Sequence, residues 1–66
     1  MEFDEKARIR IEHWLNHNES HLNGYREFAE QLEAAGMSAG AVHIRNMIAL
    51  TIKSNQCLME ALNVLG

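Results

Sequence analysis

Apolar or core-like residues in the first half of this chain recur at Ala7, Ile11, Trp14, Asn18, His21, Tyr25, Phe28, Leu32 and Ala35. The intervals alternate four and three without a slip, which is the pattern of α-helices packed side by side. The second half repeats it through Ala41, Ile44, Ile48, Thr51, Asn55, Leu58, Leu62 and Leu65. Proline is absent and β-branched residues are few, which favours helix throughout. Between the two series, Gly36 suits the position just past a helix end and Ser38 suits an N-cap. The expected fold is all-α, an antiparallel helical hairpin forming one domain over 1–66. Its first helix should run over about residues 4–35, its turn over 36–38 and its second helix over about 39–65.

A hairpin this small needs help. Chains below about 70 residues rarely draw more than about 3–5 kcal/mol from a single core, so staples or partners are usual. Cys57 is the only cysteine, which excludes an internal disulfide and suits a small buried hydrophobe in a reducing compartment. Self-association is the remaining staple. The charge distribution supports it: twelve Asp, Glu, Lys and Arg lie between Met1 and Ala35, but only Arg45, Lys53 and Glu60 follow Ala39. The second arm also carries a run of His43, Met47, Leu50, Ser54, Cys57 and Ala61, about 100° round from its seam, and a third with Ala49, Ile52 and Met59. One partner helix cannot cover so wide a surface. A homodimeric four-helix bundle is the simplest closed answer, with Met47, Leu50, Ile52, Cys57, Met59 and Ala61 at the expected oligomer interface.

A turn near residue 37 sets residue i opposite residue 73 − i. Asn18 then faces Asn55, and His21 lies within a turn of Thr51 and Asn55. These four make an expected buried polar layer in an otherwise apolar seam. Unpaired, each such group would cost about 1–3 kcal/mol, so a hydrogen-bonded network that fixes register is the plain reading.

His13, His17 and His21 stand four residues apart in E-H-W-L-N-H-N-E-S-H. A step of four advances about 400°, so the imidazoles form a slowly drifting stripe. Measured from the seam, His21 should point nearly inward, His17 should flank it, and His13 should face solvent as an outer or weak ligand at most. Gly24 shares the strip of His17. A mid-helix glycine costs about 1 kcal/mol relative to alanine and marks the close approach of another helix or of a ligand. Neutral imidazoles one turn apart can hold a transition metal, Ni or Zn, and a two-fold dimer would supply the pair again.

Other chemistry lacks its residues. A net charge of −3 with scattered Lys and Arg argues against nucleic acid. The acidic start Met1-Glu2-Phe3-Asp4-Glu5 is no secretory n-region, and the most apolar window is short and interrupted by His43 and Arg45, so no membrane is expected and the location reads as cytoplasmic. His17-Asn18-Glu19-Ser20-His21 is not H-E-x-x-H, and no Glu-x-x-His, Ser-His-Asp order, phosphate loop or CxxC occurs. No catalytic residue is expected.

His13 to His21, followed by Tyr25-Arg26-Glu27-Phe28-Ala29-Glu30 and later by Ser54-Asn55 ahead of Met59, resembles a small uncharacterised bacterial and archaeal helical-hairpin family with the motif H-W-x-x-H-N-x-x-H. Members of that family sometimes follow a small nickel-binding domain of the carbon monoxide dehydrogenase accessory type. The resemblance implies metal handling centred on His17, Asn18 and His21, with another metal-handling protein as a partner. That nickel domain is not in this sequence, so none of its ligands carries over. Two readings follow: a non-enzymatic, homo-oligomeric accessory or interaction module that binds a transition metal through its first-arm histidines, or a purely structural oligomerisation module whose histidines belong to a buried hydrogen-bond network.

Overall fold

The computed structural model describes residues 2–65; Met1 and Gly66, the ends of the expected domain, lie outside the described residues. Two helices account for nearly all of them: α1 over Phe3–Ala34 and α2 over Ser38–Leu65. Asp4 and Glu5 occupy the first turn of α1, where negative charge meets the positive end of the helix dipole. Among the described residues, no helix is long and apolar enough to cross a membrane.

The turn is built by backbone hydrogen bonds around one glycine. Gly36 has φ 79°, a left-handed conformation that glycine adopts without steric cost. Its N–H donates to the Glu33 carbonyl, and the Met37 N–H donates to the Leu32 carbonyl. This pair of bonds is a Schellman closure, which satisfies carbonyls that the end of α1 would leave open. The Ala41 N–H then donates to the Met37 carbonyl. Met37 therefore takes the N-cap place and Ser38 becomes the first helical residue, one position later than its side-chain chemistry suggested.

The seam between α1 and α2 is thin. Its buried residues are Leu22 and Ala29 from α1 and Ala41, Ile48 and Asn55 from α2. Ile11, Leu15, Asn18, Tyr25 and Leu32 flank them on α1, and Ile44, Thr51, Leu58 and Leu62 on α2, all half-buried. The small side chains of Ala29 and Ala41, together with Gly40, lie near the turn, where the helices close on one another. A methyl group added at Gly40 would meet Leu32 Cδ1 at 3.7 Å.

Here the structure departs from the expected first-arm seam. Ile11, Asn18, Tyr25 and Leu32 face α2, but the alternating members are Leu15, Leu22 and Ala29 rather than Trp14, His21 and Phe28, which are exposed. Both sets keep the 3/4 rhythm, one on each side of the Ile11–Leu32 line. A single neighbouring helix covers one side only, and the smaller residues allow the closer approach. The aromatic and histidine side is left open.

The hairpin is a rod with Cα extents of 52 × 16 × 11 Å. Its radius of gyration is 15.4 Å, against about 11 Å for a compact chain of this length. It exposes 5029 Å², while size scaling gives about 4,200 Å² for a compact monomer of its mass.

Candidate functional site: an open face with a histidine ladder

Asn18 and Asn55 meet across the seam. The Asn18 Nδ2 donates to Asn55 Oδ1 at 2.9 Å, with Asn55 buried and Asn18 half-buried. Thr51 lies nearby, but its hydroxyl donates to the Met47 carbonyl on its own helix at 2.9 Å. His21, expected in this layer, stands outside it. Because the seam runs through Leu22, the imidazole of His21 turns away from α2 and is exposed. The buried polar contact is thus an asparagine pair.

On the outer surface of α1 the rings form a ladder. His13 and His17 have ring centroids 6.2 Å apart at an interplanar angle of 19°. His17 and His21 stand 4.4 Å apart and nearly perpendicular, at 87°. His21 and Tyr25 are 5.7 Å apart and nearly parallel, at 8°. Each four-residue step drifts about 40° round the helix, so the ladder climbs from the outer surface at His13 to the seam edge at Tyr25. Tyr25 as its last rung escaped the sequence reading, which placed it among core residues; its spacing of four from His21 was the available signal.

Within the ladder, His17 Nε2 and His21 Nε2 approach to 2.9 Å and share a hydrogen bond. One ring must donate and the other accept, so the two carry different tautomers in the neutral state. His13 has no such contact. Among the described residues, no three His, Cys, Asp or Glu side chains are grouped to hold a metal ion. His17 and His21 offer two nitrogen ligands at one point.

An ion pair fixes the two sides of the hairpin. The Arg45 guanidinium donates to Glu33 Oε1 across one flank; both side chains are about half exposed, a setting in which such pairs are worth about 0–1 kcal/mol. At about 100° per residue, Trp14, His17, His21 and Phe28 lie on the other flank of α1. Met47, Leu50, Ser54, Cys57 and Ala61 lie on the same flank of α2. Ile52 and Met59 turn toward the Arg45 side. The expected interface set therefore divides, and four of its six members share a face with the histidines.

That face is nearly free of charge. No Asp, Glu, Lys or Arg of α2 falls on it; Lys6 and Arg10 reach it only near the start of α1. There Phe3, Lys6, Ala7, Arg10, Ile11 and Trp14 line an apolar groove. The groove is open because the register sets the end of α2 opposite residue 8, leaving the first turn of α1 without a neighbour. Gly24 also opens onto this side: a methyl group placed there would meet nothing within 4 Å. Close helix packing inside the hairpin is thus not what Gly24 serves.

These features define a class, the elongated two-helix hairpin with one charged flank and one apolar, histidine-bearing flank. Residues 7–65 match the model of the family described as the domain of unknown function DUF8180, and the chain belongs to that family. No curated protein and no solved structure matches significantly.

Proposed function

We propose that this chain is a non-catalytic, cytoplasmic, homo-oligomeric helical module, and that two hairpins close a four-helix bundle through the apolar histidine-bearing flank. The observation that carries this reading is the coincidence of both open faces on one side. Trp14 is 48% exposed and Phe28 50% on α1, and Leu50 is 66% exposed on α2. Met59 is as exposed, at 50%, on the Arg45 flank, but there it lines a groove with Lys53 and Glu60; large apolar side chains exposed on a flank almost free of charge mark a docking surface. The flank's Cα envelope of 52 × 16 Å is long and wide enough to hold a standard stable interface, which buries about 800 Å² per partner.

A second copy is the occupant that these features favour. The flank has almost no charge with which to select a different partner, and a two-fold axis makes an apolar face self-complementary. Among the described residues the seam of one hairpin buries five, too few to hold a stable monomer. Sedimentation equilibrium at micromolar concentration tests the reading. A dimer or larger assembly is expected; a well-folded monomer would overturn it.

A different protein on the same flank is the other arrangement. The resemblance of the H-W-x-x-H-N-x-x-H stretch to hairpins associated with nickel-handling proteins favours a metal-handling partner in that case. Co-purification of a stoichiometric second polypeptide in place of a homodimer would support it.

A further inference from the structure

We propose that His17 and His21 form a bidentate site for a divalent late transition ion, of which Ni²⁺ is the test case, and that a second hairpin completes the site. The second half of this inference rests on the dimer proposed above; the first half does not.

The ligand argument begins from one distance. Metal–imidazole bonds are about 2.0–2.1 Å long, so two nitrogens bound at 90° stand about 2.9 Å apart, and two bound at a tetrahedral angle about 3.3 Å apart. The Nε2 atoms of His17 and His21 are 2.9 Å apart. That is a hydrogen-bond length, and it lies within a few tenths of an ångström of either spacing, so small turns of the two rings bring both nitrogens onto one late transition ion. In the absence of metal the two nitrogens share one proton in a hydrogen bond. Ligation needs both Nε2 lone pairs, so the donor ring gives up its Nε2 proton and takes one from solvent on its own Nδ1, and both rings end neutral and protonated on Nδ1. Both side chains are exposed, so the ion reaches them without opening the seam.

Two ligands alone hold an ion weakly, and the described residues bring no third His, Cys, Asp or Glu to the point. The position of the pair supplies the answer. α1 covers Phe3–Ala34, and His17 and His21 straddle its midpoint. A two-fold axis perpendicular to the rod exchanges its ends and leaves the middle in place; one parallel to the rod keeps every level. Either way, fully overlapped hairpins put both histidine pairs at one level. Where the axis stacks α1 on its symmetry copy, four imidazoles meet there. Gly24, one turn beyond His21 and with open space above it, leaves room for the approach.

Titration calorimetry of the full chain with NiCl₂ tests this, together with the His17→Ala, His21→Ala and His13→Ala variants. Wild type and His13→Ala should bind alike, and His17→Ala and His21→Ala should each lose at least about tenfold in affinity. Lowering the pH from about 8 to about 5 should displace the ion, because ligation needs neutral imidazole. Circular dichroism checks that each variant keeps its helices. One ion per two chains supports the four-imidazole site. One ion per chain, still lost in both variants, keeps the bidentate pair and overturns its completion by a second copy. Equal weak binding by all four proteins would overturn the site, whatever the state of assembly.

Discussion

Asn18 and Asn55 share a 2.9 Å side-chain hydrogen bond across the centre of the seam. The two numbers sum to 73, so this contact sets the register of the whole hairpin, with residue i opposite residue 73 − i. Sliding α2 by one turn would set Asn18 against Leu58 or against Thr51, whose hydroxyl proton is already given to the Met47 carbonyl, and would take Asn55 away from its amide partner, at about 1–3 kcal/mol. An apolar seam alone would tolerate such a slip far better.

The first prediction follows from that bond. Asn18→Leu or Asn55→Leu alone should lower stability by about 1–3 kcal/mol, because each strands the other amide. In a domain this small that is a fall of roughly 4–8 °C in Tm per kcal/mol. The double variant should regain much of the loss and show a coupling of about 0.5 kcal/mol or more. Thermal unfolding of the four proteins closes the cycle. Strictly additive losses would mean that the bond contributes nothing to stability.

Much of this arrangement is legible before any coordinates. The 3/4 spacing, the missing proline and the Gly36 turn identify two packed helices, and the turn position alone brings Asn18 to Asn55. The choice between His21 and Leu22 was not legible. Trp14-His21-Phe28 and Leu15-Leu22-Ala29 are equally regular stripes on either side of Ile11, Asn18, Tyr25 and Leu32. Periodicity ranks neither; the side-chain volume that α2 can approach decides between them. The same rotation takes His21 out of the polar layer and lets it meet His17. Ile52 and Met59 were grouped with Leu50 because all three are apolar, but apolarity does not reveal the flank. The ion pair of Arg45 with Glu33 does.

A second prediction concerns Trp14, half exposed on a single hairpin. If the histidine-bearing flank is covered by a second copy, its indole is shielded at high concentration and meets water on dilution. Trp14 is the only tryptophan in the chain, so intrinsic fluorescence reports on it alone. Emission should move to longer wavelength as the protein is diluted through its dissociation constant, in step with the loss of dimer in sedimentation. A spectrum that stays constant while the dimer dissociates would place the interface elsewhere.

Two glycines give a third test. Gly24 and Gly40 are both helical, and each becomes a better helix former as alanine, by about 0.5–1 kcal/mol. At Gly40 the new methyl meets Leu32 Cδ1 at an ordinary contact distance, so Gly40→Ala should raise stability by that amount and leave assembly unchanged. At Gly24 the space is open within one hairpin but is needed by an approaching copy. Gly24→Ala should therefore weaken dimerisation several-fold in sedimentation, even though its helix propensity rises. Equal gains in stability with unaltered association would show that nothing closes over Gly24.

The last prediction sets Leu50 against Ile52. In an isolated hairpin Leu50 is 66% exposed and Ile52 38%. Judged by that alone, Leu50→Glu is the milder change, since substitutions at open surface positions usually shift stability by no more than about 0.5 kcal/mol. Dimerisation through the histidine-bearing flank reverses the order. Leu50 then lies inside the bundle, and a glutamate there carries an unpaired charge into an apolar interface. Ile52 stays on the flank of Arg45, where a new glutamate reaches water and stands near a guanidinium. Leu50→Glu should yield a largely unfolded monomer, because the seam of one hairpin cannot hold it. Ile52→Glu should remain a folded dimer with a modest fall in Tm. Circular dichroism with sedimentation equilibrium on the two variants reads the order directly. If Ile52→Glu proves the more damaging, the dimer through this flank is wrong.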